Sequence, residues 1–182
     1  MLLGVASRFV DTAAWAPPWI GLVFAPWLAA AWLAGATTVD RRAGALRGAV
    51  LLGATAAAYL VTAALLASPD EAARMAPGLV IVALVAGPFF GVAGAIRRAP
   101  WPGSLVGAAV LGAALVSDGI VLQFGERLPV ERALFAAELL AGLWLAARVA
   151  RHPRGAALAL VIGLVLASFE VGVVAVLGMR LP

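Results

Sequence analysis

Long apolar blocks separated by short polar segments run along almost the whole chain. Six of them approach the ~20 residues that a helix needs to cross the hydrocarbon core of a bilayer. Within each block the apolar residues are continuous and do not alternate with polar ones, which favours helices over the strands of a membrane barrel. The pattern predicts an all-α, polytopic transmembrane helical bundle with about six spans, at residues 19–36, 48–67, 77–96, 103–123, 130–149 and 155–179.

The first 16 residues form a separate short segment. They are too few to span a bilayer as a helix, and Arg8 and Asp11 interrupt their apolar run. We expect residues 1–16 to form a half-helix or a segment at the membrane interface, and residues 17–182 to form a single transmembrane bundle. Because the connections between the blocks are short, we expect no separate domain that could hold a soluble active site.

The composition agrees with a membrane protein. Of the 182 residues, 64% are hydrophobic and only 12% are charged, whereas an ordinary soluble domain is ~25% charged. The net charge of +4 does not indicate nucleic-acid binding, because the 13 cations are all arginines and lie mainly in short loops. The chain has no cysteine, which excludes disulfides and cysteine metal sites. Its single histidine, His152, lies among arginines and is a poor metal ligand or base.

The arginines are divided unevenly between the two sides of the predicted bundle. One set follows the first, third and fifth spans: Arg41, Arg42, Arg47, Arg97, Arg98, Arg148, Arg151 and Arg154. The other side has fewer arginines and also carries acids: Arg8, Arg74, Arg127, Arg132, Arg180, Asp70, Glu71, Glu126 and Glu131. Because short cytoplasmic loops are enriched in basic residues, the first set should face the cytoplasm. We therefore expect a multi-pass protein of the bacterial cytoplasmic (inner) membrane with its C-terminus outside.

Three carboxylates lie inside the apolar blocks, at Asp118, Glu138 and Glu170. An ionisable group at that depth costs at least ~2.5 kcal/mol, and it usually marks a partner, a proton or a ligand. Counted along the predicted spans, Glu138 lies near the midplane, while Asp118 and Glu170 share a depth nearer the outside. If Asp118 and Glu170 face each other, they must share a proton or hold a cation between them.

A polar stripe on the second span adds three hydroxyl groups. Thr55, Tyr59 and Thr62 recur at i, i+4 and i+7, which places them on one helix face. We interpret the hydroxyls and the acids as one intramembrane polar cluster, formed by Asp118, Glu138, Glu170, Thr55, Tyr59 and Thr62. The alternative is structural: the threonines bond back to the preceding turn of their own helix, and the acids make ordinary hydrogen bonds between helices.

The sequence contains no catalytic motif and leaves two classes of function. Ser117 beside Asp118 lacks a histidine or lysine base within the membrane, and carboxylates without histidine make a poor zinc or di-iron site. We expect no enzyme activity, no cofactor and no metal. The first hypothesis is a small transporter or ligand-binding membrane component whose buried carboxylates take a proton, a cation or a small molecule. The alternative is a non-catalytic structural or partner-binding membrane protein. The expected partners are the lipid bilayer and another membrane protein, with no nucleic acid.

Glycines recur four residues apart in two parts of the chain, as Gly44 with Gly48 and as Gly87 with Gly91. Small residues at this spacing allow two helices to pack closely. Pro88 offers a second interpretation, because it frees a backbone carbonyl that could line a cavity. We favour close packing.

Several runs of the sequence resemble one known family. They are residues 4–11 (GVASRFVD), Ala25-Pro26-Trp27 with Ala34-Gly35-Ala36, and residues 87–94 (GPFFGVAG) followed by Arg97-Arg98. Together they resemble the bacterial membrane family of unknown function numbered 6518, over most of the chain. The resemblance implies a compact multi-pass bundle and no particular chemistry. The N-terminus is shorter than the fuller first helix of that family, which leaves the number of helices open.

A second resemblance is local. Residues 15–19 (WAPPW), with Phe24 and Pro26-Trp27, are similar to the first helix of the tryptophan-rich sensory proteins, which bind porphyrins and sterols. The aromatic and asparagine-rich second helix of that family is missing, since this chain contains no asparagine. We therefore transfer no ligand from it.

The expected orientation can be tested with reporter fusions after Pro182. Alkaline phosphatase fused there should be active, and a fluorescent protein that folds only in the cytosol should be dark, because the basic loops hold the opposite side in the cytoplasm. Enzyme activity and fluorescence of whole cells are the measurements. A fusion that is active only in the cytosol contradicts this orientation.

Overall fold

The described part of the chain is helical in this computed structural model. It comprises residues 2–12, 25–100, 102–121, 133, 136–137, 139–145, 154–155, 157–158, 160–165 and 168. Five helices have described bounds: α1 (Leu2–Thr12), α2 (Ala25–Gly35), α3 (Arg41–Leu66), α4 (Pro69–Ile96) and α5 (Gly103–Val121). The described residues after position 132 are also helical, and no strand occurs in any of these segments. The all-α prediction is confirmed for this part of the protein.

Helix α3 begins seven residues earlier than the apolar pattern predicts, at Arg41 instead of position 48. Asp40 is its N-cap, and the carboxylate of Asp40 accepts a hydrogen bond from the backbone N–H of Arg42 at 2.9 Å. The cap satisfies one of the free N–H groups at the helix start. The first turns of α3 are polar because they extend beyond the apolar block, so a prediction from hydropathy alone places the start too late.

Helix α4 also begins early, at Pro69 instead of position 77. The hydroxyl of Ser68 accepts the backbone N–H of Glu71 at 3.1 Å, and Pro69 occupies the first turn, where no hydrogen-bond donor is needed. Pro77 and Pro88 both lie inside the helix. Because α4 begins at Pro69, Glu71 belongs to its first turn and not to a loop.

Among the described residues two helices, α3 with 26 residues and α4 with 28, are long and apolar enough to cross a membrane. Length and composition alone do not separate such helices from the core helices of a soluble protein. Many large apolar side chains on α4 nevertheless lie at the surface: Val80, Ile81, Leu84, Val85 and Phe89 are each at least 46% exposed. The six spans of the sequence prediction are not established, since the blocks at 130–149 and 155–179 are described only in part.

The contact between α3 and α4 is made by glycines. A Cβ on Gly48 would overlap the carbonyl oxygen of Gly87, and a Cβ on Gly91 would overlap the carbonyl oxygen of Gly44. The two backbones therefore touch directly, as small residues at four-residue spacing allow. This confirms close packing as the role of these glycines.

Helix α2 packs against both members of this pair, and α5 packs on α4 and α2. Gly35 of α2 meets the backbone of Gly91, and Gly94 of α4 meets the carbonyl of Trp32. The indole N–H of Trp32 in turn donates to the carbonyl of Gly107 on α5 at 2.7 Å. Phe90, Leu52 and Val110 are the largest fully buried side chains of this core.

Replacement of Gly48 by alanine should destabilise the fold by about 1–3 kcal/mol, because its Cβ would push α3 and α4 apart. Gly53 is a matched control on the same helix, since a Cβ there would meet no atom of the described residues within 4 Å. At that position alanine is the better helix former by ~1 kcal/mol, so Gly53→Ala should leave stability unchanged or raise it. Thermal unfolding of the purified variants measures both effects. Equal melting temperatures for the two variants would contradict the backbone contact.

Candidate functional site

The hydroxyl residues of the predicted polar cluster lie on one buried face of α3. Thr55 is 2% exposed, Tyr59 3% and Thr62 8%. Each threonine hydroxyl donates to a carbonyl one turn earlier, Thr55 to Leu51 at 2.9 Å and Thr62 to Ala58 at 2.8 Å. Both threonine hydroxyl donors are therefore satisfied within α3. This is the arrangement that the structural alternative predicts for these two residues.

The three acids of the predicted cluster are not placed. Asp118 belongs to α5 by its backbone, but its side chain lies outside the described residues, as do Glu138 and Glu170 entirely. Their meeting with Thr55, Tyr59 and Thr62 stays a prediction. Parts of the blocks that carry Glu138 and Glu170 are described, and they pack near one stretch of α5.

Glycines make these contacts with α5. A Cβ on Gly142 would lie 2.9 Å from the carbonyl oxygen of Gly112 and 2.7 Å from Val116, and one on Gly163 would lie 3.8 Å from the side chain of Ala113. The helical residues 139–145 and 160–165 thus both approach α5 within the stretch 112–116.

Tyr59 also takes part in a polar cluster of described residues that the sequence prediction did not include. We call it the Arg8 cluster, and it contains five residues from four helices: Ser7 and Arg8 of α1, Trp27 of α2, Tyr59 of α3 and Glu71 of α4. With α3 beginning at Arg41, Tyr59 is seven residues from the end of its helix, or about 10 Å from the end near Glu71. The cluster therefore lies toward that end of the bundle.

Gly4 brings α1 close enough to α3 to form the cluster. A Cβ on Gly4 would overlap the carbonyl oxygen of Thr55 and lie 3.0 Å from the backbone nitrogen of Tyr59. One turn later, Ser7 accepts a hydrogen bond from the indole N–H of Trp27 at 3.1 Å. The same turn places Arg8 beside the ring of Tyr59. Contact of backbone with backbone thus sets the position of the polar side chains.

Arg8 is the centre of the cluster. Its Nη2 donates to Oε1 of Glu71 at 2.8 Å, and its Nη1 makes a long contact of 3.5 Å with the hydroxyl of Tyr59. The guanidinium carbon also lies 5.7 Å from the centre of the Tyr59 ring, within range of a cation–π interaction. The edge of Tyr59 packs against Trp27, with ring centres 5.7 Å apart.

Burial differs sharply between the two charged groups. The side chain of Arg8 is 8% exposed, whereas that of Glu71 is 34% exposed. Burial acts to lower the pKa of Arg8, but the hydrogen bond and charge of Tyr59 and the charge of Glu71 outweigh it, so that the pKa of Arg8 lies above its ordinary value. Arg8 therefore remains a cation, and the cluster reaches the surface through the carboxylate of Glu71.

This arrangement suits recognition of charge better than catalysis. A guanidinium group binds planar carboxylates and phosphates, and it cannot act as a base at ordinary pH. The cluster pairs no nucleophile with a general base in the manner of a hydrolase. Across the described residues, no group of three or more His, Cys, Asp and Glu side chains is placed to hold a metal ion.

The sequence prediction missed Arg8 and Glu71 because each was assigned to a different short segment. One local pattern pointed to the position of Glu71: Ser68 followed three residues later by an acid is the start of a capping box, which predicts a helix beginning at Pro69. No local pattern pairs Arg8 with Glu71, which are 63 positions apart.

The ion pair should appear as a coupling in a double-mutant cycle of Arg8→Gln and Glu71→Gln. We expect a coupling of about 1 kcal/mol, near the upper end for exposed pairs, because Glu71 is one third exposed and Arg8 is buried. Chemical unfolding of the two single variants and the double variant measures it. Asp70→Asn is the matched control, since Asp70 is exposed and lies in the same first turn. Additive effects of Arg8→Gln and Glu71→Gln, or a similar coupling between Arg8 and Asp70, would contradict the pairing.

Comparison with known proteins identifies the family of the chain. Residues 23–179 match the family described as "Family of unknown function (DUF6518)". The match covers most of the chain and begins after α1, so the similar run at residues 4–11 lies outside it. No curated protein and no solved structure shows a significant match. The chain belongs to the family of unknown function DUF6518.

Proposed function

We propose that this chain is a multi-pass integral protein of the bacterial cytoplasmic membrane and that it acts as a small ligand-binding or transport component. In this proposal about six helices span the bilayer, α1 is a half-helix packed against them, and the C-terminus lies outside. Two helices of spanning length and an abundance of exposed apolar side chains support the membrane part. The Arg8 cluster supports the ligand-binding part.

The exposed apolar side chains are better explained by lipid than by water. Only 39% of the most apolar 18-residue stretch of α3 is buried. The outward face of the same helix carries large apolar side chains along its length: Leu46, Val50, Val61 and Leu65 are each at least 59% exposed. A core helix of a soluble protein would bury such a face, and soluble monomers rarely expose extended apolar patches. The hydrocarbon tails of lipids would cover this apolar face without a free-energy penalty.

The two ends of the bundle differ in charge in the way that the orientation requires. The first turns of α3 and the residues directly after α4 carry Arg41, Arg42, Arg47, Arg97 and Arg98. The opposite end carries Asp70 and Glu71 at the start of α4, together with only two described arginines, Arg8 and Arg74. The excess of arginines at the first end supports a cytoplasmic location for it and an outer location for the Arg8 cluster.

The Arg8–Glu71 pair is the observation that carries the ligand-binding proposal. An ion pair with one buried partner gains little over well-packed apolar residues, since desolvation of the charges offsets their attraction. Such a pair is more readily explained when one of its charges also serves a ligand. The carboxylate of Glu71 is exposed enough for an anion from solution to take its place, and Arg8 holds its charge in a buried position. A small carboxylate or phosphate can therefore replace Glu71 on the guanidinium.

The acids Asp118, Glu138 and Glu170 complete the proposal as candidates for a proton or a cation. The close approach of residues 139–145 and 160–165 to α5 supports it, because these segments belong to the blocks that carry two of the acids. An anionic ligand at Arg8 and a proton or cation at these carboxylates are compatible within one transport component.

A structural role is the second candidate, and specific observations favour it. The hydroxyls of Thr55 and Thr62 are bonded within their own helix, and glycines hold α2, α3 and α4 in backbone contact. In that case the Arg8–Glu71 pair only holds α1 against α4. The protein then serves as a rigid membrane partner of another protein. The two candidates make opposite predictions for the variants at Glu71.

Anion binding to the purified protein distinguishes them. A panel of small carboxylates and phosphate esters, tested by thermal shift, should stabilise Glu71→Gln more than the unaltered protein, because the competing carboxylate has been removed. Arg8→Gln should lose the response, since the guanidinium is the binding group. Asp70→Asn should respond like the unaltered protein.

A structural role predicts a different result in the same experiment. Arg8→Gln and Glu71→Gln would both melt at lower temperature, and the anions would shift neither variant. That outcome would exclude the Arg8 cluster as a ligand site and leave the fastening of α1 as its function.

A further inference from the structure

The arginine-rich end of the bundle has a defined geometry. We call it the arginine end, and it comprises residues 36–47 and 96–100. The Nη2 of Arg97 donates to the carbonyl of Ala36 at 3.1 Å, and the Arg97 guanidinium lies 5.9 Å from the ring centre of Trp32. Arg47 donates to the hydroxyl of Thr37. These contacts fix the end of α4 against the α2–α3 connection.

Contact between α3 and α4 brings the remaining arginines to the same end of the bundle. A Cβ on Gly44 of α3 would lie 2.7 Å from the side chain of Ala95 on α4. Arg41 lies three residues before Gly44, and Arg98 lies three residues after Ala95, just beyond the end of α4 at Ile96, so both arginines lie at this end of the bundle. Both are exposed, as is Arg42. Three exposed cations thus lie at this end of the bundle.

The charge at this end is poorly compensated. Residues 36–47 and 96–100 contain five arginines and a single acid, Asp40. The carboxylate of Asp40 is already engaged as the N-cap of α3, where it accepts the N–H of Arg42. An excess of four positive charges remains, and it favours an anionic partner.

An apolar strip continues directly from these cations along the outer face of α3. Arg42, Leu46 and Val50 are spaced four residues apart and therefore lie on one side of the helix. Leu46 is 65% exposed and Val50 is 62% exposed. At the next turn Gly53 leaves the surface open, since no atom from the described part of the chain lies within 4 Å of a Cβ built there. Cations followed by an exposed apolar strip match a molecule with an anionic head and a hydrocarbon tail.

We propose that the arginine end binds an anionic phospholipid, with its phosphate against Arg41, Arg42 and Arg98 and an acyl chain along Leu46 and Val50. This inference rests on the proposed membrane location of the bundle, but it does not depend on the Arg8 cluster. Juxtamembrane arginines attract anionic lipids with about 1 kcal/mol each, which corresponds to about fivefold in affinity per residue. The lipid would hold the α2–α3 connection at the membrane surface.

Native mass spectrometry of the protein extracted from membranes tests this proposal. The protein is offered an equal mixture of phosphatidylglycerol and phosphatidylcholine, and the retained lipid is counted. The unaltered protein should retain mainly phosphatidylglycerol, and the double variant Arg41→Gln with Arg42→Gln should lose about 25-fold of this preference. Arg41→Lys with Arg42→Lys should keep most of it, because the charge is conserved.

Arg74→Gln is the matched control, because Arg74 is an exposed arginine of α4 near the opposite end. It should keep the preference for phosphatidylglycerol. Equal retention of the two lipids by the unaltered protein would overturn the proposal, and so would an equal loss in Arg74→Gln. Displacement of the lipid by millimolar inorganic phosphate would show that phosphate alone is recognised, which also overturns it.

The membrane location is checked in the same preparation. Protein recovered in the soluble fraction would overturn the membrane location and this inference together. Protein recovered in the membrane fraction without a lipid preference would overturn this inference alone.

Discussion

Backbone contact between α3 and α4 is the constraint on which the remaining contacts depend. Gly44, Gly48, Gly87 and Gly91 let the two helices touch at their carbonyls, where any side chain would force them apart. The contact fixes the register of the two helices, and that register brings the start of α3 level with the end of α4. It therefore determines which polar groups meet at each end. Close backbone packing also supplies the dispersion contacts that hold helices together when lipid and core are equally apolar.

At the Glu71 end, the register allows one short helix to close the bundle. The Gly4 contact seats α1 on α3, and the next turn inserts Arg8 between Tyr59 and Glu71. The guanidinium of Arg8 stays protonated there, because Tyr59 and Glu71 raise its pKa more than burial lowers it. Removal of either charge would leave the other without its ion-pair partner, and Arg8 is the more buried of the two.

At the opposite end, which we called the arginine end, arginines have two different environments. There Arg97 caps the carbonyl of Ala36 and packs on Trp32, so one arginine is used to join helices. Its exposed neighbours Arg41, Arg42 and Arg98 contribute charge toward the surroundings instead. The difference in burial separates a structural arginine from arginines available to a partner. The two ends of the described bundle therefore differ in charge.

The sequence by itself determined the helical class, the apolar blocks, the arginine asymmetry and the family, because each depends on local composition and spacing. It also determined that Thr55, Tyr59 and Thr62 share a face, since helical periodicity fixes that relation. Only the tertiary structure decided that Arg8 pairs with Glu71 and that Tyr59 joins them. Tyr59 is 51 positions and Glu71 is 63 positions from Arg8 along the chain. Their meeting depends on how far each helix is rotated and shifted against its neighbour. Backbone contacts set that rotation and shift, and no single segment of the sequence encodes them.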